Sequence, residues 1–236
     1  MTGPLAGRTV LVTRPAHQSA ALAQAIRTAG GAAFEFPALA IETVPLDELA
    51  APLAQLAGAD IAIFISPNAA QFGMAAIRAG GALPAAARIF AVGPGTLRAL
   101  AAQGLDDVAM PDGQDSEALL ALPPLNEVAG KRVVIVRGVG GRALLADTLR
   151  ARGALVDFLE CYRRVRPQAD AAPLLACWQT GGNDAVTVAS AGTPHKLAAL
   201  LGAPGAPLTG RGRPHARTRR AGRRAGHEGG GRVVLE

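Results

Sequence analysis

The stretch TRPAHQSAALAQAIRTAGG, residues 13–31, returns at residues 136–154 as VRGVGGRALLADTLRARGA. Arg14 lies on Arg137, Ala20 on Ala143, Leu22 on Leu145, Ala23 on Ala146, Arg27 on Arg150 and Gly30 on Gly153. At nearly the same offset DIAIFIS (60–66) lies on DAVTVAS (184–190), matching Asp60 to Asp184 and Ser66 to Ser190. Each copy runs strand ending in Arg, helix, strand, helix, strand ending in Ser, helix. A repeated supersecondary order of this length predicts two units of similar build.

The flanking patterns set the class. RTVLVT (8–13), IAIFI (61–65), RIFAV (88–92) and RVVIV (132–136) are strand-length apolar runs, and AAFEF and DAVTVA (184–189) read the same way. Leu22, Ala25, Ile26 and Ala29 fall on one face of a helix that Gly30 and Gly31 end. Ser66 with Pro67 predicts a helix cap and a first-turn proline, and Gly-Pro-Gly-Thr (93–96) opens a helix carrying Leu97, Leu100 and Ala101. Fully apolar strands alternating with helices predict α/β units built on parallel sheets.

Composition narrows the function classes. The chain has 236 residues, 50% of them apolar, enough for one large or two small cores. Its net charge of +6 is unevenly placed. Residues 205–232 hold eight of the 24 basic residues and one of the 18 acidic ones, leaving the remainder with 16 basic against 17 acidic. No apolar run reaches the roughly 18 residues of a membrane span, and the start shows no secretory leader. Cys161 and Cys177 have no ligand spacing and are expected as buried reduced thiols, which with the missing leader predicts a cytoplasmic protein without a metal.

The segment RGRPHARTRRAGRRAGHEGGGR (211–232) breaks the pattern. The repeat calls for a strand and a helix near 212–227, yet no aliphatic side chain larger than alanine occurs from 209 to 232. RVVLE (232–236) then regains strand character. A pair of compensating reading-frame slips in a GC-rich gene accounts for this. So does a disordered tail. A nucleic-acid arm accounts for the arginines, but it would lack aromatics to stack on bases, and no nucleic-acid partner is expected.

In parallel sheets, ligands bind beyond the carboxyl ends of strands, where helix N-termini offer unpaired N–H groups to anions. Those places hold Arg14; Ser66 and Asn68; Gly93 and Thr96; Arg137, Gly138 and Gly141; and Ser190 and Gly192. Two arginines can grip carboxylate or phosphate, glycines let an anion reach the backbone, and hydroxyls add donors. Taken singly, the glycines read as turn residues, and Ser66 and Thr96 as caps. RGVGGR (137–142) is not a dinucleotide fingerprint, since no acid completes it; Glu160 comes closest. Tyr162, the only tyrosine, ends a predicted strand beside Arg163 and Arg164. Its phenol is a proton donor to a departing oxygen or, equally, an amphipathic ring packed between lobes.

At VLVTRP (10–15), FPALAIETVP (36–45), IFISPNAAQFG (63–73), FAVGPGTLRAL (90–100) and VVIVRGVGGRALLADTLRARGALVDFLECYRRVRP (133–167), the chain resembles the uroporphyrinogen-III synthase family. The resemblance implies two similar parallel-sheet α/β domains joined by a two-stranded connection, one of them discontinuous. It places residues 1–36 with 167–236 in the first domain and 38–165 in the second. The implied reaction closes hydroxymethylbilane to uroporphyrinogen III, inverting ring D and losing water, with no cofactor, in a monomer. It makes Tyr162 the proton donor and places Ser66, Thr96, Arg137, Gly138 and Ser190 along the cleft. Arg14 matches by motif, where it lines the cleft or braces the hinge. A non-catalytic two-lobed anion binder, or a synthase inactivated by its C-terminal segment, would share the same fold signals.

Overall fold

The computed structural model describes residues 3–141, 143–179, 182–188, 193–200 and 234–235. The Arg/Gly segment at 211–232, and with it the missing strand and helix, lies outside the described residues, as do Ser190 and Gly192.

Two compact units emerge, one formed by residues 1–40 with 165–236 and the other by 41–164. The chain begins with β1 (Thr9–Val12), α1 (Ala16–Thr28) and β2 (Ala32–Glu35). It continues with β3 (Ala40–Thr43), α2 (Leu46–Leu56), β4 (Ile61–Phe64), α3 (Pro67–Gly80), β5 (Arg88–Ala91) and α4 (Pro94–Ala101). There follow β6 (Val108–Ala109), α5 (Ser116–Leu120), β7 (Arg132–Gly138), α6 (Leu144–Ala151) and β8 (Leu155–Val165). The last described elements are α7 (Ala172–Gln179), β9 (Ala185–Thr187), α8 (Thr193–Leu200) and β10 (Val234–Leu235).

The sheet of the second unit has the order β3-β8-β7-β4-β5-β6, and β8, β7, β4, β5 and β6 run parallel. Both faces are covered, as near-continuous apolar strands require. Ala62 and Phe64 of β4, with Val134 and Val136 of β7, pack under Leu49, Leu53 and Leu56 of α2, Ala70, Met74 and Ile77 of α3, and Leu100 of α4. The alternate residues Ile61, Ile63, Val133 and Ile135 pack on the other face with Leu119 and Leu120 of α5 and Leu145, Ala146 and Leu149 of α6. Each large aliphatic side chain so buried contributes about 1.5–3 kcal/mol.

The sheet of the first unit has the order β10-β9-β1-β2, with every described pairing parallel. It reproduces the order β5-β4-β7-β8 of the other sheet. The repeat is therefore exchanged between the units: the Arg-ending strand of one copy pairs with the Ser-ending strand of the other. The matched aspartates show it at atomic detail. Asp60 Oδ2 accepts from the Arg132 N–H at 2.8 Å, and Asp184 Oδ2 accepts from the Thr9 N–H at 2.9 Å. The Asp60 N–H donates to Arg132 O and the Asp184 N–H to Thr9 O, both at 2.9 Å. Each aspartate thus ties the start of its own strand to the start of the neighbouring parallel strand.

Two sequence expectations need correction. The face that α1 buries runs through Ser19, Ala23 and Ile26, with Leu22 half-buried and Ala25 exposed. Alanines offer too little apolar area for their spacing alone to choose a face. Cys177 is half-buried, whereas Cys161 is buried, and neither forms a disulfide. Burial pushes the Cys161 thiol from an ordinary 9.0 up to about 12. Below about pH 9 the thiol is protonated in folded and unfolded chains alike. As pH rises from there toward 12 the unfolded chain ionises first, so this group's contribution to stability is lost. At pH 8 an aromatic disulfide reagent should titrate Cys177 in the native protein and Cys161 only after denaturation; rapid native modification of both thiols would contradict this burial.

Candidate functional site

In the second unit α3 leaves β4 toward one face of the sheet, and α6 leaves β7 toward the other. Strand order reverses between these neighbours, so a crevice opens beyond their carboxyl ends. Ser66 caps α3 there: its Oγ accepts from the Ala69 N–H at 3.0 Å, and Pro67 occupies the first turn. A cap of this kind contributes about 0.5–2 kcal/mol.

Tyr162 comes to the same place by an irregular register. Arg137 pairs with Glu160, but the next residue, Gly138, pairs with Tyr162, so Cys161 is skipped. The bulge re-aims the side chains at the end of the β7–β8 pairing. A Cβ on Gly138 would lie 2.5 Å from Tyr162 Cε2, so only a glycine lets the ring lie against this backbone. Phe72 of α3 stands 5.7 Å from the ring, centroid to centroid. Tyr162 Oη lies 3.2 Å from Ser66 Oγ, and Arg164 Nη2 donates to it at 3.0 Å. Tyr162 therefore does not end its strand, as the sequence suggests: β8 runs on to Val165 and carries Arg164 to the same side as Tyr162.

A cavity of about 210 Å³ adjoins this cluster. Its walls are apolar, from Ile65, Ile135, Leu145 and Phe158, with Arg137, Arg164 and Ser116 as the polar side chains. The Arg137 side chain is buried, its guanidinium carbon 4.8 Å from the Phe158 ring centroid. Its Nε donates to Gly138 O at 3.3 Å and lies 3.5 Å from Glu160 Oε1. The same Glu160 oxygen accepts from the Gly140 N–H at 3.2 Å. Gly141 has φ +126°, and a Cβ there would lie 2.6 Å from Arg137 Nη2. The turn thus wraps the guanidinium, and Glu160 holds both.

The structure brings Ser66, Arg137, Gly138, Gly141 and Tyr162 together around the crevice and cavity. Asn68 is half-buried in the first turn of α3. Gly93 is the N-cap of α4, and Thr96 is buried in its first turn; neither lines the cavity. Thr96 is thus not a cap. Arg14 belongs to the other unit, exposed in the turn between β1 and α1. Beside it Thr13 Oγ1 donates to Thr187 O at 2.5 Å, closing the end of the β1–β9 pairing. Sequence reasoning missed Ser116, gave Arg164 no role of its own, and dismissed Glu160 with the dinucleotide pattern. The nearest signal was that Arg164 lies two residues after Tyr162 on a strand, where i and i+2 share a face. Among the described residues no group of three His, Cys, Asp or Glu side chains could hold a metal ion. No helix among them is long and apolar enough to cross a membrane.

The chain matches a protein-family model described as uroporphyrinogen-III synthase HemD over residues 20–216. It is 41% identical over 184 residues to a uroporphyrinogen-III synthase of Salmonella typhimurium, covering 77% of this chain and 75% of the relative. To that of Escherichia coli it is 38% identical over 197 residues, covering 81% and 79%. A crystal structure of a mutant uroporphyrinogen III synthase from the extremely thermophilic bacterium Thermus thermophilus superposes with a TM-score of 0.59 at 26% identity, covering 82% of this chain and 77% of the other.

Proposed function

The chain belongs to the uroporphyrinogen-III synthase family, and from that premise we propose that it closes hydroxymethylbilane to uroporphyrinogen III, inverting ring D and releasing water. The observation that carries this reading is the pair of hydroxyls at the strand-order reversal, Ser66 Oγ and Tyr162 Oη, 3.2 Å apart beside a cavity lined by two arginines.

The hydrogen bonds fix what the hydroxyls can do. Ser66 Oγ already accepts from Ala69, and Tyr162 Oη from Arg164. One hydroxyl donates to the other, which leaves one O–H directed toward a ligand. That proton goes to the departing hydroxyl of ring A, which leaves as water, while the electron pair of the ring nitrogen forms the exocyclic double bond of an azafulvene. Ring D attacks through its substituted carbon. The resulting spiro intermediate fragments and recloses with the ring inverted, and the proton released on rearomatisation restores the donor. The reaction is that of a hydro-lyase, and the steps draw on no cofactor.

The substrate carries eight carboxylates. Arg137 and Arg164 give one carboxylate-tipped chain a charged end in a largely apolar cavity, and the N-termini of α3 and α4 offer further N–H donors. Ser190, Gly192 and Arg14 belong to the same reading as substrate-binding residues. So do a cytoplasmic monomer and the absence of a nucleic-acid partner, since the basic excess is confined to residues 205–232.

The deciding experiment supplies freshly generated hydroxymethylbilane and separates the oxidised products into types I and III. Predominantly type III is expected. Type I alone, as without enzyme, would mean that the chain is inactive as a synthase.

A further inference from the structure

Tyr162 is 0% exposed, yet it is the residue expected to meet the substrate. Among the described residues, Ser66, Phe72, the Gly138 backbone and Arg164 lie against it. The first three are fixed by a helix cap, a helix and a strand. Arg164 is different. It is exposed, its stem is flexible, and its guanidinium carbon lies 5.3 Å from the phenol ring centroid while Nη2 donates to Oη. The same side chain lines the cavity that Arg137 enters.

A guanidinium bonded to a neutral phenol oxygen is only partly satisfied. A carboxylate offers two charged acceptors in a matching fork, so the guanidinium can make a bidentate pair with it that the single phenol oxygen cannot. An anion in the cavity therefore favours the arrangement in which Arg164 has turned to it, and its differential affinity shifts the population that way. We propose that Arg164 is a positioning residue that covers Tyr162 in the free protein, and that a carboxylate entering the cavity draws its guanidinium off the phenol and uncovers the hydroxyl. The identity of that carboxylate, a side chain of the linear tetrapyrrole, rests on the function proposed above. On that reading the proton donor is uncovered only when the substrate's charged chain is seated, which couples binding to the first step.

Because Tyr162 is the only tyrosine, nitration by tetranitromethane, read as nitrotyrosine in its peptide, reports this residue alone. The full chain should nitrate slowly, and severalfold faster with propionate than with chloride at equal ionic strength. Arg164→Gln should nitrate fast with or without propionate. Arg164→Lys, which keeps a flexible cation, should recover part of the propionate response, and Arg164→Met, which keeps only packing, should not. A wild-type rate indifferent to propionate, an Arg164→Gln protein as protected as wild type, or full recovery by Met would each overturn the proposal. The assay needs no turnover, so its outcome is independent of whether the isomer assay yields type III. In a chain that makes type III, Arg164→Gln should raise KM severalfold and Arg164→Lys should restore part of it; an unchanged KM would likewise remove the role.

Discussion

Tyr162→Phe is expected to lower kcat by about two orders of magnitude, the lower end of what a positioned general acid contributes. The variant keeps the ring against Gly138 and Phe72 and removes only Oη. Ser66 keeps its bond from Ala69, and Arg164 faces the cavity, so the folding cost is about 0.5–1.5 kcal/mol, the scale of one hydrogen bond. Activity and stability should therefore separate. With the enzyme slowed, unassisted closure competes and the product shifts from type III toward type I. Steady-state kinetics with product separation, alongside urea denaturation, measure both quantities. A well-folded variant with unchanged kcat would take the proton-donor role away from Tyr162.

Gly138→Ala should damage fold and site together. The added methyl would lie 2.5 Å from Tyr162 Cε2 and 2.6 Å from Cζ, closer than carbon atoms can approach. Phe72, Ser66 and Arg164 already pack or bond to the ring, so relief requires either the ring or the end of β7 to move. Overpacking of this kind costs about 1–3 kcal/mol. Moving the ring breaks the spacing of Oη from Ser66 and Arg164, so type III formation should fall along with the urea midpoint. A variant with wild-type stability and activity would show that the Tyr162 ring does not require a glycine at this position. Combining it with Tyr162→Phe provides a second check. The two activity losses should be far from additive, because both act through the same hydroxyl.

How far the sequence reaches is clearest at Ser66 and Tyr162. Ser66 was legible as a helix cap because the signal is local: a serine, a proline and an apolar run in fixed order. Tyr162 was legible as a lone phenol among arginines, but not as the partner of Ser66, 96 residues away. Nor could the pattern show that β8 passes through Tyr162 to Val165, since charged Arg163 and Arg164 argue against a strand locally. Arg163 is accommodated by an ion pair with Glu48 of α2, a contact with no footprint in spacing. Glu160 shows the opposite failure. Tested against the wrong motif it had no role, while in the fold it holds Arg137 and the glycine turn together.

By itself the sequence determined the two copies of strand-Arg-helix and strand-Ser-helix, the parallel α/β class that follows from them, and the residues standing at the carboxyl ends of the strands. These rest on periodicity and turn chemistry within a few residues, which the chain carries locally. Only the tertiary structure decided that the copies exchange strands, so that β1 lies beside β9 and β4 beside β7. It alone decided that one skipped residue lays Tyr162 across Gly138, and that Arg164 covers the phenol. Parallel pairing and register are set by hydrogen bonds and packing between segments far apart in the chain. The matched aspartates, each tying its own strand to the next, are the point where the repeated sequence and the exchanged fold meet.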